Sequence, residues 1–290
     1  MEIHDTTERP THNSERPTHN SPHDEALATA VQAARRAARV IRERTGALGD
    51  VRAKGRNDFV TEVDEAAQAA ALDTIRTACP DDAVLAEEGD EPGAVPTSVD
   101  GRRWIVDPLD GTTNFMHQVP PYAVSVALQE GDALLVGVVL DVPHNELFTA
   151  VAGHGLQRNG QPTEATHTDA LAESFLATGF PYRRFEHTEG YLDVLGTVLR
   201  AARGVRRHGA AAVDLAWLAC GRFDGFFETG LRPWDVAAGA LLVREGGGRV
   251  TTYHGEGGLT PLFGQQVCAT NAHIHASLLD HLAPMDDVRL

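Results

Sequence analysis

Cysteine is scarce in this chain of 290 residues: Cys79, Cys220 and Cys268 are the only three, widely spaced and without a Cys-x-x-Cys pair. That set suggests neither a disulfide framework nor a thiolate zinc site, and it fits a reducing cytoplasm. Aromatic residues are few, 6% of a chain that is 42% hydrophobic, so Ala, Val and Leu must fill the core. Basic residues are outnumbered, 25 Lys plus Arg against 41 Asp plus Glu, giving a formal net charge of −16. A surface of that sign repels nucleic-acid phosphates and argues against a nucleic-acid partner. Long apolar runs are also missing. The longest, near Ala133 to Leu140, falls well short of the roughly 18 residues that span a bilayer, and the first residues hold no apolar signal core. The expectation is a soluble, cytoplasmic protein with no membrane partner.

The same negative charge repels a phosphate monoester. Any phosphate site must therefore concentrate positive charge of its own, and a cluster of divalent cations is one source.

At the N-terminus, Glu8 to Ser14 (Glu-Arg-Pro-Thr-His-Asn-Ser) recurs unchanged as Glu15 to Ser21. A polar, Pro-containing repeat cannot bury a core, so residues 1–22 are predicted to be a disordered tail, and its histidines receive no function. Residues 23–290 are expected to form one α/β unit of two lobes, divided near residue 150.

Leu27, Val31, Ala34, Ala38 and Ile41 recur at helical spacing after Ser21-Pro22, and Ala67, Ala70, Ala71 and Ile75 do so after Thr61, with Pro80 as a stop. Short runs at 84–85, 104–106, 123–128, 134–140, 147–151 and 223–227 read as strands, with a hairpin turn at Gly131-Asp132. Helices are expected over 211–220 and 234–245, the second ended by Gly246-Gly247-Gly248 before a strand at Val250. Cys220 is expected in the core. The mixture predicts layered α and β structure.

The chemistry concentrates in Trp104 to Phe115, where an apolar strand runs into Asp107-Pro108-Leu109-Asp110-Gly111-Thr112-Thr113-Asn114. Pro108 cannot donate a ladder hydrogen bond, so the strand is expected to break beside Asp107 and turn both carboxylates into one cavity. Two carboxylates without a basic partner repel one another. Mg²⁺ removes that cost and matches their hard oxygens. Amides at and after Gly111 can face an anion. A lone Asp-x-x-Asp is ordinarily an Asx turn. Here Glu87-Glu88 follows the strand at 84–86 and Asp235 opens the helix at 234, so three separate element ends offer acids. His273-x-His275 has a spacing that suits a strand face but lacks further ligands, and it is read as incidental.

These motifs resemble the inositol monophosphatase family. Its D-P-L-D-G-T-T-N-F hallmark is complete as Asp107 to Phe115, its W-D-x-A-A-G signature stands at Trp234 to Gly239, and its upstream element is present as Lys54 and Asp58 to Asp64. The resemblance covers the chain from about residue 24 onward and implies a layered αβαβα sandwich, usually a homodimer, with lithium sensitivity. It implies that Glu87, Asp107 and the Leu109 carbonyl hold one Mg²⁺, that Asp107, Asp110 and Asp235 hold a second, and that Asp64 and Glu87 serve a weaker third position. Asp64 with Thr112 would orient or deprotonate the attacking water. The Gly111 and Thr112 amides would contact phosphate, while Ala211, Glu228 and Asp235 would meet the substrate hydroxyls.

The implied reaction is hydrolysis of inositol 1-phosphate by in-line attack of metal-activated water, without a phosphoenzyme. Thr113-Asn114-Phe115 points to inositol monophosphate over bisphosphate substrates, although Ala210 departs from the Ser or Thr common at its position. Histidinol phosphate or another small sugar or polyol ester is the enzymatic alternative. A regulatory binding protein that retains the metal loop is the alternative of another class.

Overall fold

The computed structural model describes residues 22–46, 51–55, 58–89, 97–181, 188–264 and 266–285. The repetitive segment and the side chains of Lys54 and Asp58 lie outside the described set.

The chain opens with α1 (Pro22–Glu43), the antiparallel hairpin β1 (Val51–Gly55) and β2 (Asp58–Thr61), and α2 (Glu62–Ala78). A seven-stranded sheet follows: β3 (Ala83–Ala86), β4 (Arg102–Asp110), the short α3 (Thr112–Met116), then β5 (Ala123–Glu130), β6 (Ala133–Asp141), β7 (Glu146–Val151), β8 (Leu156–Arg158) and β9 (Gln161–Thr163). Its strands lie side by side in chain order, with only β3 and β4 parallel. The remainder supplies β10 (Phe175–Thr178), α4 (Thr188–Ala201), β11 (Gly204–Arg206), α5 (Ala211–Ala219), β12 (Gly225–Thr229), α6 (Pro233–Glu245), β13 (Arg249–Thr251), α7 (Thr260–Phe263), β14 (Gln266–Thr270) and α8 (His275–Leu282). Five of these strands form a second sheet in the order β11-β10-β12-β14-β13.

Side-chain alternation along the strands builds the layers. Trp104 and Val106 of β4, with Val124, Val126 and Leu128 of β5, pack against the alanine-rich faces of α1 and α2. The alternate residues Ile105, Ala123 and Ala127 face the other way, onto α5 and α6. Those two helices also cover Phe226, Val250, Val267 and Ala269 of the second sheet, so they lie between the sheets and are apolar around most of their surface. The outer face of the second sheet, with Leu176, Phe227 and Cys268, is closed by Tyr191, Val194 and Val198 of α4 and by Leu278 of α8. The order is α, β, α, β, α, as the family resemblance implies.

Three expectations are corrected. First, β4 does not break at Pro108. It continues to Asp110 through a bulge, because Asp107 pairs with Ser125 and Asp110 with Ala123, leaving Pro108 and Leu109 opposite Val124 alone. An unpaired bulge residue has no ladder bond to donate, so proline is tolerated there. Second, Cys220 is half-buried at the C-cap of α5, with its Sγ 3.5 Å from the Trp217 carbonyl oxygen. Third, His275 opens α8 instead of lying on a strand. Its ring is buried between the Thr251 and Thr270 hydroxyls, each 2.9 Å away, while His273 is exposed.

Candidate active site

The same alternation that turns Ile105 toward the middle layer turns Asp107 that way, two residues on. Asp107 is buried, and its Oδ1 accepts the Leu109 N–H at 2.9 Å, which folds the bulge back on itself. Asp110, at the end of β4, is also buried, and its Oδ2 accepts the Ala212 N–H at 2.8 Å. Asp235 lies in the first turn of α6, and its Oδ2 accepts the Arg232 N–H at 2.6 Å. A Ser125 Oγ to Trp234 carbonyl bond of 3.2 Å ties that turn to β5.

The result is a cluster in which Asp107, Asp110 and Asp235 each offer an oxygen, all within 4.8 Å of one another. Glu87 immediately follows β3, and its N–H donates to the Val106 carbonyl at 3.2 Å. The parallel pairing of β3 and β4 thus delivers Glu87 next to Asp107.

Burial, then the charges of Glu87, Asp110 and Asp235, hold the Asp107 carboxyl well above the usual carboxylate range. For Asp110 burial again leads, followed by Asp235, and the shift has the same direction. Among the described residues no Lys or Arg pairs with either. Two like charges about 4 Å apart repel by about 4 kcal/mol at an effective dielectric of about 20. The cluster must therefore bind protons or gain a cation. Its donors are carboxylate oxygens, with the Leu109 carbonyl in the same bulge, and this hard set fits Mg²⁺ better than a soft transition metal.

Beside the cluster stands a second carboxylate unit. Asp64, fully buried in the first turn of α2, accepts the Thr61 N–H at 2.8 Å and the Thr61 hydroxyl at 2.5 Å on Oδ2. Its Oδ1 accepts the Thr112 hydroxyl at 2.8 Å. Burial raises the Asp64 carboxyl, and the Thr61 and Thr112 bonds pull it back. Thr112 also lies 3.1 Å from the Leu109 carbonyl. Both neighbours are acceptors, so the single hydroxyl proton is committed to them and the oxygen's lone pairs remain to accept from a water.

Gly111 joins the two units. Its φ is +90°, and a Cβ there would lie 3.2 Å from the Pro121 carbonyl oxygen and 3.3 Å from both Ala210 Cβ and Tyr122 Cβ. Only glycine suits that left-handed, crowded corner. Asn114 fixes α3, donating through Nδ2 to the Pro121 and His208 carbonyls, each at 2.8 Å. Ala211 is the first residue of α5, whose N-cap Ala210 offers no side-chain acceptor. The Asp110 carboxylate does that work from another element. The N-termini of α3, α5 and α6 therefore lie close together, with their positive dipole ends toward the carboxylates. Glu228, half-buried on β12, is close enough to raise the Asp110 carboxyl further.

The structure thus brings Asp107, Asp110 and Asp235 together, with Glu87 and Glu228 bearing on them and Asp64 hydrogen-bonded to Thr112 alongside. Glu88 stays apart, its N–H and carbonyl held by the Gln68 amide at 2.8 and 2.6 Å. Glu62 is an exposed residue of the first turn of α2. The His273 and His275 pair assembles no metal cluster among the described residues. Sequence reading gave no site role to the Thr61 hydroxyl, the Asn114 amide, the Ala212 amide or the His208–Asp214 contact of 2.6 Å. Thr61 carried a signal: Thr61-Glu62-Val63-Asp64 is a capping-box pattern, and the box is formed. The Ala212 amide under Asp110 and the Asn114 bond to the His208 carbonyl join distant segments, and local spacing holds no sign of them.

Fold and cluster together define a layered α/β sandwich with a buried group of carboxylates that could hold a metal ion beside the Gly111 corner. A model of the inositol monophosphatase family matches residues 23–285. The chain is 46% identical over 231 residues to the Nus factor SuhB of Salmonella typhimurium, covering 79% of this chain and 85% of that protein. It is 41% identical over 239 residues to an inositol-1-monophosphatase of Synechocystis, covering 82% of each. Among solved structures, the extragenic suppressor protein suhB of Bartonella henselae superposes with a TM-score of 0.81 at 38% identity, covering 88% of this chain and 97% of that one. The chain belongs to the inositol monophosphatase family, which supports a phosphatase acting on a small phosphate ester. None of its described helices is long and apolar enough to cross a membrane.

Proposed function

We propose that this protein is a Mg²⁺-dependent phosphomonoesterase that hydrolyses inositol 1-phosphate to inositol and phosphate. The observation that carries the reading is the carboxylate cluster of Asp107, Asp110 and Asp235, all within 4.8 Å, placed beside the Thr112–Asp64 hydrogen bond.

Glu87, Asp107, Asp110, Asp235 and the Leu109 carbonyl would hold the divalent ions. Bound there, Mg²⁺ supplies charge to stabilise the phosphoryl oxygens and lowers the pKa of water. The protein's own residues do the rest. Thr112 accepts a hydrogen bond from the attacking water and Asp64 holds the Thr112 hydroxyl in the orientation that allows it. Amides of Gly111 and Thr112 steady the phosphate. The Ala211 amide, Glu228 and Asp235 bind the hydroxyls of the leaving alcohol.

The test is phosphate release from inositol 1-phosphate, histidinol phosphate, fructose 1,6-bisphosphate and a nucleotide bisphosphate, with and without Mg²⁺, by the wild type and Asp107→Asn. Preference for inositol 1-phosphate, dependent on Mg²⁺ and lost in the variant, is the expected result. Preference for another ester under the same dependence removes the substrate assignment alone. No hydrolysis of any ester removes the enzymatic reading.

A second reading has one specific support, the name Nus factor carried by the relative from Salmonella typhimurium. It is a regulatory role exerted through a partner. Full cellular function of an inactive Asp107→Asn protein would favour it.

A further inference from the structure

Glu228 occupies space that only glycine leaves open. β10 and β12 run parallel, with Thr178 paired to Phe227, so the next residues along, Gly179 and Glu228, lie side by side where β10 ends. A Cβ built on Gly179 would stand 1.9 Å from Glu228 Cδ, 1.9 Å from its Oε1 and 2.2 Å from its Oε2. The carboxylate therefore lies flat on the Gly179 backbone, inside the volume that any side chain would fill. Gly179 is buried, and its φ is not in the left-handed region, so the backbone itself accepts alanine. The glycine answers to the carboxylate and not to the chain conformation.

The wall beneath this slot is stiff. Thr178 Oγ1 donates to the Phe227 carbonyl at 2.8 Å and lies 3.0 Å from the Tyr191 hydroxyl, tying β10, β12 and α4 together. A methyl group at 179 thus meets rigid strands on one side and the far end of a side chain with three rotatable bonds on the other. The side chain is the part that gives.

We propose that Gly179 is a specificity-determining position: by lacking a side chain it fixes the Glu228 carboxylate where it accepts hydrogen bonds from a polyhydroxylated leaving alcohol. This rests on the phosphomonoesterase reading above. A carboxylate pinned against the backbone loses little conformational freedom on binding, and a hydroxyl-specific site rejects an ester that lacks the hydroxyl by leaving its own polar group unpaired.

The test compares inositol 1-phosphate with p-nitrophenyl phosphate, which has no hydroxyl on its leaving group. In Gly179→Ala the ratio of the two kcat/KM values, inositol ester over aryl ester, falls at least about 10-fold, mainly through KM for the inositol ester, as loss of a hydrogen bond to a charged group requires. Glu228→Asp, which withdraws the carboxylate by one methylene without touching β10, lowers the ratio in the same direction and covers the case in which the alanine variant misfolds. The double variant Gly179→Ala/Glu228→Gln is no worse than Glu228→Gln alone, because both changes remove one interaction.

An unchanged ratio in Gly179→Ala, or penalties that add in the double variant, overturns the proposal. A crystal structure of Gly179→Ala with the Glu228 carboxylate in its original place also overturns it, and that readout needs no turnover. If the wild type prefers a different ester, the substrate assignment fails separately, and the same ratio is taken with the preferred ester.

Discussion

Asp110 Oδ2 accepts the backbone N–H of Ala212 at 2.8 Å across 102 residues of sequence, so a carboxylate of the acidic cluster is also the N-terminal cap of α5. Ala210, the residue at the cap position, has no group to offer. Asp110→Asn keeps an acceptor oxygen and Asp110→Ala does not. In metal-free protein the alanine variant is expected to be about 1 kcal/mol less stable than the asparagine variant, the usual worth of an N-cap. Urea denaturation of the two variants checks this, and equal midpoints would show that α5 needs no cap from β4.

Asp107 gives a prediction of opposite sign. Its carboxyl is buried among like charges, so Asp107→Asn relieves repulsion while retaining an oxygen for the Leu109 N–H. Metal-free Asp107→Asn is expected to be more stable than the wild type by on the order of 1–2 kcal/mol. Mg²⁺ at about 100 times its Kd should stabilise the wild type by about 2.7 kcal/mol and the variant hardly at all. Thermal melts with and without Mg²⁺ measure both effects.

The same raised carboxyls set a pH dependence. Asp107 and Asp110 are raised in the folded state, so their contribution to metal-free stability is largest at low pH and is lost as pH rises from the ordinary carboxylate range through the folded values. Mg²⁺ competes with those protons. The Mg²⁺-induced rise in Tm should therefore grow from acid toward neutral pH, and a constant increment would contradict it.

For Thr112 the expectation is kinetic. Thr112→Ser preserves the hydroxyl bonded to Asp64, while Thr112→Val removes it at nearly constant volume. Under the proposed mechanism the valine variant loses about 10² to 10⁴ in kcat, the worth of a positioned acid–base group, with a small change in KM. The serine variant stays close to the wild type. Steady-state kinetics on inositol 1-phosphate separate the two.

His275 titrates the fold from another side. Buried between Thr251 and Thr270, it is held down to about 4 by burial, with the Arg249 charge adding to the effect. Between the ordinary value of about 6.5 and that depressed value the unfolded chain binds a proton that the folded chain refuses. Stability is thus lost as pH falls through that window, by on the order of 3 kcal/mol. His275→Gln should lower stability at neutral pH but flatten this slope, and comparing the two proteins cancels the opposing trend of the raised carboxyls.

Much of the candidate site was legible because its carboxylates sit in short runs whose geometry is local. Asp107 to Phe115 sets an apolar strand, two carboxylates and a glycine turn within nine residues, and the Trp234-Asp235 helix start is equally plain. Helical spacing likewise marked α1 and α2 through their alanine faces. Strands of three or four residues, such as β8, β9 and β11, are too short to show an alternation. The proline rule failed at Pro108 because it assumes a paired residue, and a bulge has none. What stayed hidden is the pairing of distant segments: Ala212 capping under Asp110, and Gly179 making room for Glu228. No spacing within either segment encodes such a partner: the packing of α5 against the end of β4 decides the first, and the β10–β12 register decides the second.

The cluster draws Asp107 and Asp110 from the end of one sheet and Asp235 from a helix that both sheets enclose. During synthesis the first sheet is complete in sequence long before Asp235 leaves the ribosome. Until then its two carboxylates lack their third member, and the helix that brings Asp235 also completes the middle layer. Under the proposed function all three carboxylates could share a divalent ion only once α6 has docked, so ion binding would report that the middle layer has closed.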